Sequence, residues 1–292
     1  MFGIYQPKGK IVKRICILQV TPEEPNEDHV RFFENKEQCD FYFVTHDAPN
    51  EKALKYCPNT TWVDTRNILA DLVPKEYEYY AFVDYDFIFE PKGNLEVLDQ
   101  ILFDLNKWNP AVLTYYPGKG FISPFVDDAE YFNKYEYSII PFTHCGMKVI
   151  HHTLLDWFFP MVTKFGGGVD ACHLFNILEL PFLKNVVCSH QMVYRNDVND
   201  PKTPHNKSGA ISKMNMDKMW HWITPSFKKY KLLQLQYGQR ATDSLVVKAF
   251  FVDLFKKQQI DLNQEQKGID YFSIERMEKF FDLNHERFSS IR

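Results

Sequence analysis

Apolar and polar positions alternate along this chain in blocks that read as strands and helices in turn. Ile11 to Val20 is rich in β-forming residues, and its centre, Ile15-Cys16-Ile17-Leu18, is a continuous apolar run, as in a strand covered on both faces. Thr21-Pro22-Glu23-Glu24-Pro25 breaks it, and Asn26 is placed to cap a helix reaching about Gln38. Asp40 to Thr45 reads as a second strand. Asn50 is placed to cap a short helix that stops before Pro58. Thr60 to Val63 reads as a third strand, and Asp64 or Thr65 opens a helix whose Ile68, Leu69, Leu72 and Val73 keep helical spacing. Three strand–helix repeats with short connections predict parallel strands, with ligand sites at their carboxyl ends.

The run from Tyr79 to Phe89 is the most telling. An apolar strand ends in Asp84-Tyr85-Asp86 and then resumes. A bare carboxylate taken out of water is costly, so these two belong where the strand emerges, with something cationic beside them. Residues two apart on extended chain point the same way, so the pair could share a divalent cation or hold a metal-bound diphosphate. The plain alternative is a solvated acidic turn. Just upstream, Asp64-Thr65-Arg66-Asn67 opens a helix, where backbone amides favour anions and Arg66 adds a charge suited to a phosphate or a base edge. An ordinary surface arginine, or a partner for Asp64, is the other reading of Arg66.

Further on, Leu95, Leu98, Ile101, Leu102, Leu105 and Trp108 mark an amphipathic helix, and Ala111 to Tyr115 another strand. Residues 116 to about 137 lack clear periodicity, as in a functional loop or cover. Ser138 to Ile150 contains strand-like stretches, and a helix from about Thr153 to Phe165 is expected to bend at Pro160. Gly166-Gly167-Gly168-Val169-Asp170 opens a further helix, where Asp170 is either a first-turn cap or a functional carboxylate. Asn185 to Tyr194 is the last clear strand, followed by a polar loop from Arg195 to Gly209 that carries Lys202, His205 and Lys207. Residues 210–292 read as helical, with an apolar stripe including Leu245, Val246, Ala249, Phe250, Val252 and Phe255. This divides the chain into a domain over 1–209 and a helical extension over 210–292.

Hydrophobic residues make up 45% and charged residues 25% of the chain, a globular balance, and the net charge of -4 argues against a general nucleic-acid binder. Most of the 26 Phe and 16 Tyr are expected in the core. The six cysteines form no C-x-x-C pair, which removes the usual zinc spacings. No apolar leader follows Met1 and no long apolar run occurs, so the expected setting is cytoplasmic, with reduced thiols and no integral membrane segment.

Together these features resemble the GT-A glycosyltransferases, nucleotide-sugar enzymes with a Rossmann-like, mostly parallel mixed sheet flanked by helices. Asp84-Tyr85-Asp86 is similar to the family's metal-binding DxD. Thr65-Arg66-Asn67 is similar to the Arg-Asn that many members set against the nucleotide. Gly167-Gly168-Val169-Asp170 is similar to the Gly-Gly-x-Asp region near the acceptor. The resemblance covers roughly residues 11–209 and leaves the C-terminal extension unexplained. It implies a divalent cation, Mn²⁺ or Mg²⁺, on Asp84 and Asp86. It also implies a UDP- or GDP-type sugar donor held by Asp64, Arg66, Asn67 and Asp84, with cationic help from Lys202, His205 or Lys207. Members often add a histidine ligand after the last strand. Here Tyr194 stands at that place, with His190 four residues before it and His205 in the loop beyond, and either histidine could serve.

The implied reaction is sugar transfer to an acceptor hydroxyl on a glycan or other glycoconjugate. Asp170 would be the general base if the outcome is inverting, and would orient the acceptor if it is retaining. Two rivals come from other classes: a metal-dependent nucleotidyltransferase or phosphohydrolase on a similar sheet, and a non-catalytic carbohydrate- or protein-binding module.

Overall fold

The structure is a computed structural model that describes residues 13–116, 136–139, 146–161, 185–196 and 269–271. By its contacts the chain divides into two units, Met1–Gly209 and Ala210–Arg292. In the second unit only Ile269–Tyr271 is described, as a short strand within a region that reads as helical from the sequence. The stripe from Leu245 to Phe255 lies outside the described residues.

The first unit is mixed α/β. Its strands are β1 (Lys13–Thr21), β2 (Cys39–Thr45), β3 (Tyr77–Asp84), β4 (Phe87–Pro91), β5 (Val112–Tyr116), β6 (Tyr137–Ile139), β7 (Met147–His151) and β8 (Val186–Asn196). They lie in the order β2-β1-β3-β7-β5-β8-β6, and β4 also pairs with β8. β2, β1, β3, β5 and β8 all run one way. β7 is inserted between β3 and β5 against both. This is the mostly parallel mixed sheet expected. β1 is buried from Ile15 to Thr21, as its unbroken apolar centre requires of a strand with both faces covered.

Among the described residues, the helices longer than one turn are α1 (Glu27–Phe33), α2 (Trp62–Leu72) and α3 (Val97–Trp108), which flank the sheet. Gln19 pairs with Val83, and Asp84 follows Val83, so Gln19 and Asp84 lie on opposite faces. α1 reaches the Gln19 face through His29, and α2 reaches the Asp84 face through Arg66. On the α1 face the core is a row across the sheet: Ile17, Ala81, Val149, Leu113 and Val187, all buried.

Four expected elements differ. α1 stops at Phe33 because Glu34 is extended and Asn35 takes a φ of 58°, a left-handed conformation that Asn tolerates. Asn50 accepts from the Lys52 N–H as in a cap, but only turns follow, not a helix. Thr60 to Val63 is not a strand: Thr61 caps α2, which already includes Trp62 and Val63. After β7 the helix is a single turn, Leu155–Phe158, and Phe159 before Pro160 is extended, as residues before proline prefer. Among the described residues no helix is long and apolar enough to cross a membrane.

Candidate functional site

The site is built from the start of α2 and the end of β3. Thr61 and Asp64 form a capping box: the Asp64 N–H donates to Thr61 Oγ1 at 3.1 Å, and Asp64 Oδ2 accepts from the Thr61 N–H at 3.2 Å. This fixes where the helix begins and so where its side chains point. Trp62 and Arg66, four apart, share one face of α2. They converge on Asp84 Oδ1: Trp62 Nε1 donates at 2.9 Å and an Arg66 guanidinium nitrogen at 2.6 Å. The Arg66 guanidinium carbon lies 3.8 Å from the centre of the Trp62 ring, a stacked cation–π contact. Phe82 lies beneath Arg66 and stacks on Phe159 at 4.5 Å.

Arg66 is only 1% exposed, and a buried guanidinium requires an anion. Asp84 supplies it, with its side chain 21% exposed toward the carboxyl edge of the sheet. The Asp84 N–H donates to the Gly146 carbonyl at 2.9 Å, so backbone and carboxylate are both held. Asp86, in the turn that follows, is 5% exposed.

Beyond that turn stands His29, which the sequence did not single out. Its Nε2 lies 2.7 Å from the Phe87 carbonyl and its Nδ1 2.5 Å from Gln19 Nε2. A carbonyl only accepts, so Nε2 carries the proton, and Nδ1 then accepts from Gln19. Burial pushes the His29 pKa down to about 4, and the Phe87 hydrogen bond opposes this only in part. The ring is therefore neutral at pH 7.

In the unfolded chain the same histidine titrates near 6.5, so the unfolded state takes up the proton first as pH falls. Stability is present above about pH 6.5 and is lost toward pH 4. The expected loss from His29 between pH 7 and pH 5 is about 2 kcal/mol. His151 is also lowered, mainly by burial, so the measurement is a difference. Urea unfolding at both pH values, compared with His29→Gln, should show a steeper fall for the native chain. Equal slopes would remove the assignment.

The predicted residues separate into groups. Arg66 and Asp84 come together, and Asp86 lies in the adjoining turn. Asp64 serves the capping box. The Asn67 side chain bonds the Met161 backbone twice, donating to its carbonyl at 2.9 Å and accepting from its N–H at 2.6 Å. Both residues therefore position α2. His190 is wholly buried on β8, on the same face as Asp84, with β7 and β5 between its strand and β3. Asp84, Asp86 and His190 do not assemble as a three-ligand set, and no group of three His, Cys, Asp or Glu suited to a metal occurs among the described residues. Asp170, Lys202, His205, Lys207 and most of the 116–137 segment lie outside the described residues. β8 ends at Asn196 opposite Phe87, so the chain that carries Lys202, His205 and Lys207 starts one ladder step from Asp86.

No family model and no curated protein matches the chain. Among solved structures, S. aureus TarS is similar over 95% of this chain and 50% of that one, at 12% identity and a TM-score of 0.48. A TarS 1-349 structure is similar over 95% of this chain and 83% of that one, at 13% identity and 0.47. The catalytic domain of Drosophila β1,4-galactosyltransferase 7, solved with xylobiose, is similar over 60% of this chain and 65% of that one, at 12% identity and 0.36. The chain thus spans half the length of TarS in the first of these. Likeness at this level does not carry a reaction across.

Proposed function

We propose that the chain is a metal-dependent glycosyltransferase that moves a sugar from a nucleoside diphosphate sugar to an acceptor hydroxyl on a glycan or glycoconjugate. The observation that supports it is the corner at the end of β3: a buried Arg66 and Trp62 holding Asp84, with Asp86 buried in the next turn. A solvated acidic turn needs neither a buried arginine nor an indole donor.

The residues fit a hard cation that takes one or two protein carboxylates and fills its shell from diphosphate and water. Asp86 is favoured as its ligand. Arg66 already sits at Asp84 Oδ1, and its charge repels a dication there. When bound, such a cation supplies charge neutralisation at the leaving diphosphate. Asp84 keeps a place at the edge of the same site, near the donor's nucleotide. Lys202, His205 and Lys207 follow from the strand end beside Asp86 as further contacts to the diphosphate, and His205 is preferred over the buried His190 as an additional ligand. Asp170 remains the candidate base or acceptor contact. UDP- and GDP-type donors are the first choices.

The test is thermal stability against a panel of nucleoside diphosphates and their sugars, with and without Mn²⁺. A ligand at about 100 times its Kd stabilises by roughly 2.7 kcal/mol. For a chain of this size that raises the Tm by on the order of 5 °C. A metal-dependent rise for one nucleotide family is expected. Indifference to all of them, in folded protein, would overturn the reading. Release of phosphate or pyrophosphate with no glycosidic product would assign the chain to the nucleotidyltransferase and phosphohydrolase class instead.

A further inference from the structure

The geometry points to His29 as the residue that positions Asp86, an inference that rests on the metal-dependent reading above. Asp86 is held from both sides by its chain neighbours. On one side Asp84 is fixed by Gly146, Arg66 and Trp62. On the other side Phe87 is fixed three ways. Its carbonyl accepts from His29 Nε2, its ring packs on Tyr194 at 4.7 Å, and its backbone pairs with Asn196. His29 comes from α1, on the opposite face of the sheet from Arg66. It is itself held between Phe33 and Phe89, with ring centres at 6.1 and 5.1 Å, and by Gln19.

An apolar side chain would fill this niche without the cost of burying an imidazole. What histidine adds is a donor of the right length for the Phe87 carbonyl and an acceptor for Gln19. The bond sets the direction in which β4 leaves the turn, and therefore where the Asp86 carboxylate stands. His29 touches neither donor sugar nor metal in this scheme. It acts through one backbone carbonyl, as outer-shell partners of metal ligands do.

Two amides of the same chemistry separate this role from general packing. His29→Gln places a donor nitrogen about where Nε2 stands, whereas His29→Asn is too short to reach the Phe87 carbonyl. The probe is Mn²⁺, titrated into the full chain alone and with UDP or GDP present, each against the same mixture without protein, and followed by the EPR signal of the unbound ion, with far-UV CD as the check on folding. We expect His29→Gln to bind within about 3-fold of the native chain and His29→Asn to bind about 10-fold or more weaker, at unchanged CD. If His29→Asn folds and binds like the native chain, the positioning role is overturned. If His29→Gln folds and binds as weakly as His29→Asn, the donor is not what matters and the role is again overturned. If the native chain takes up no Mn²⁺ either alone or with UDP or GDP present, or Asp86→Asn takes up as much as the native chain, the metal-dependent reading itself falls, and this inference with it.

Discussion

Replacing Asp86 with Asn is expected to lower sugar transfer by about 10³-fold while the fold survives. A bound cation contributes several kcal/mol of stabilisation to charge developing on the leaving group. Losing about 4 kcal/mol of it corresponds to three orders of magnitude in rate. Asn has nearly the shape of Asp, so the buried turn is expected to keep its packing. The same substitution at Asp84 disturbs more than binding, because it removes the negative charge that Arg66 needs. Asp84→Asn is therefore expected to change rate and stability together. The measurement is the initial rate at saturating Mn²⁺ with whichever nucleotide sugar the thermal panel selects, beside a melting curve. Full activity in Asp86→Asn would take Asp84-Tyr85-Asp86 back to an acidic turn.

Arg66→Ala is expected to be the most destabilising single change at the site. Removing one partner of a buried pair leaves the other uncompensated and typically costs 3–5 kcal/mol, so about 3 kcal/mol fits here, since Asp84 keeps some solvent contact. At two to four degrees per kcal/mol, the Tm should fall by on the order of 8 °C. Arg66→Lys should restore little of this, because an ammonium does not lie flat on Trp62 while bonding Asp84. Differential scanning calorimetry of the two variants tests both statements. A Tm within about 2 °C of the native value in Arg66→Ala would show that the pair contributes little to stability.

Much of the sheet was legible because its strands carry unbroken apolar runs, β1 and β3 above all. The expectation that Asp84 and Asp86 need a cation beside them holds for Asp84, since cost of burial is a property of the residue and not of the fold. Which cation was open: Arg66 emerged as the partner of Asp84 rather than of Asp64. The misreading at Thr60 to Val63 came from β-branched and aromatic residues, which favour strands locally. The competing signal was present as Thr61-x-x-Asp64, a capping box, and it decided the element. Trp62 then became part of the site, a role invisible while it was read as a strand residue. Asn50 shows the converse: a good cap starts no helix when Leu54 and Lys55 are instead drawn into backbone bonds with β2, the Leu54 N–H donating to Phe43 and the Lys55 carbonyl accepting from Thr45. His29 could not be read from sequence. A lone histidine beside Val30 looks like any other, and only the packing of α1 over β1 and β4 gives it Gln19 and Phe87.

The antiparallel β7 has a consequence for how the chain acquires its shape during synthesis. It lies between β3 and β5, yet it emerges after both. Until Met147–His151 is made, β2-β1-β3 is a three-stranded sheet with a bare edge of unpaired amides and carbonyls at β3, β5 has no partner strand, and Ala81 and Leu113 await Val149. This strand of five residues covers the β3 edge and gives β5 its first partner. It also delivers the Gly146 carbonyl to Asp84, and Met161 reaches Asn67 only after it. The corner around Asp84 is therefore completed only once residues 146–161 have been made. A nascent chain stalled between Tyr116 and Met147 holds a three-stranded sheet with an open β3 edge, prone to join other chains through the edge meant for β7.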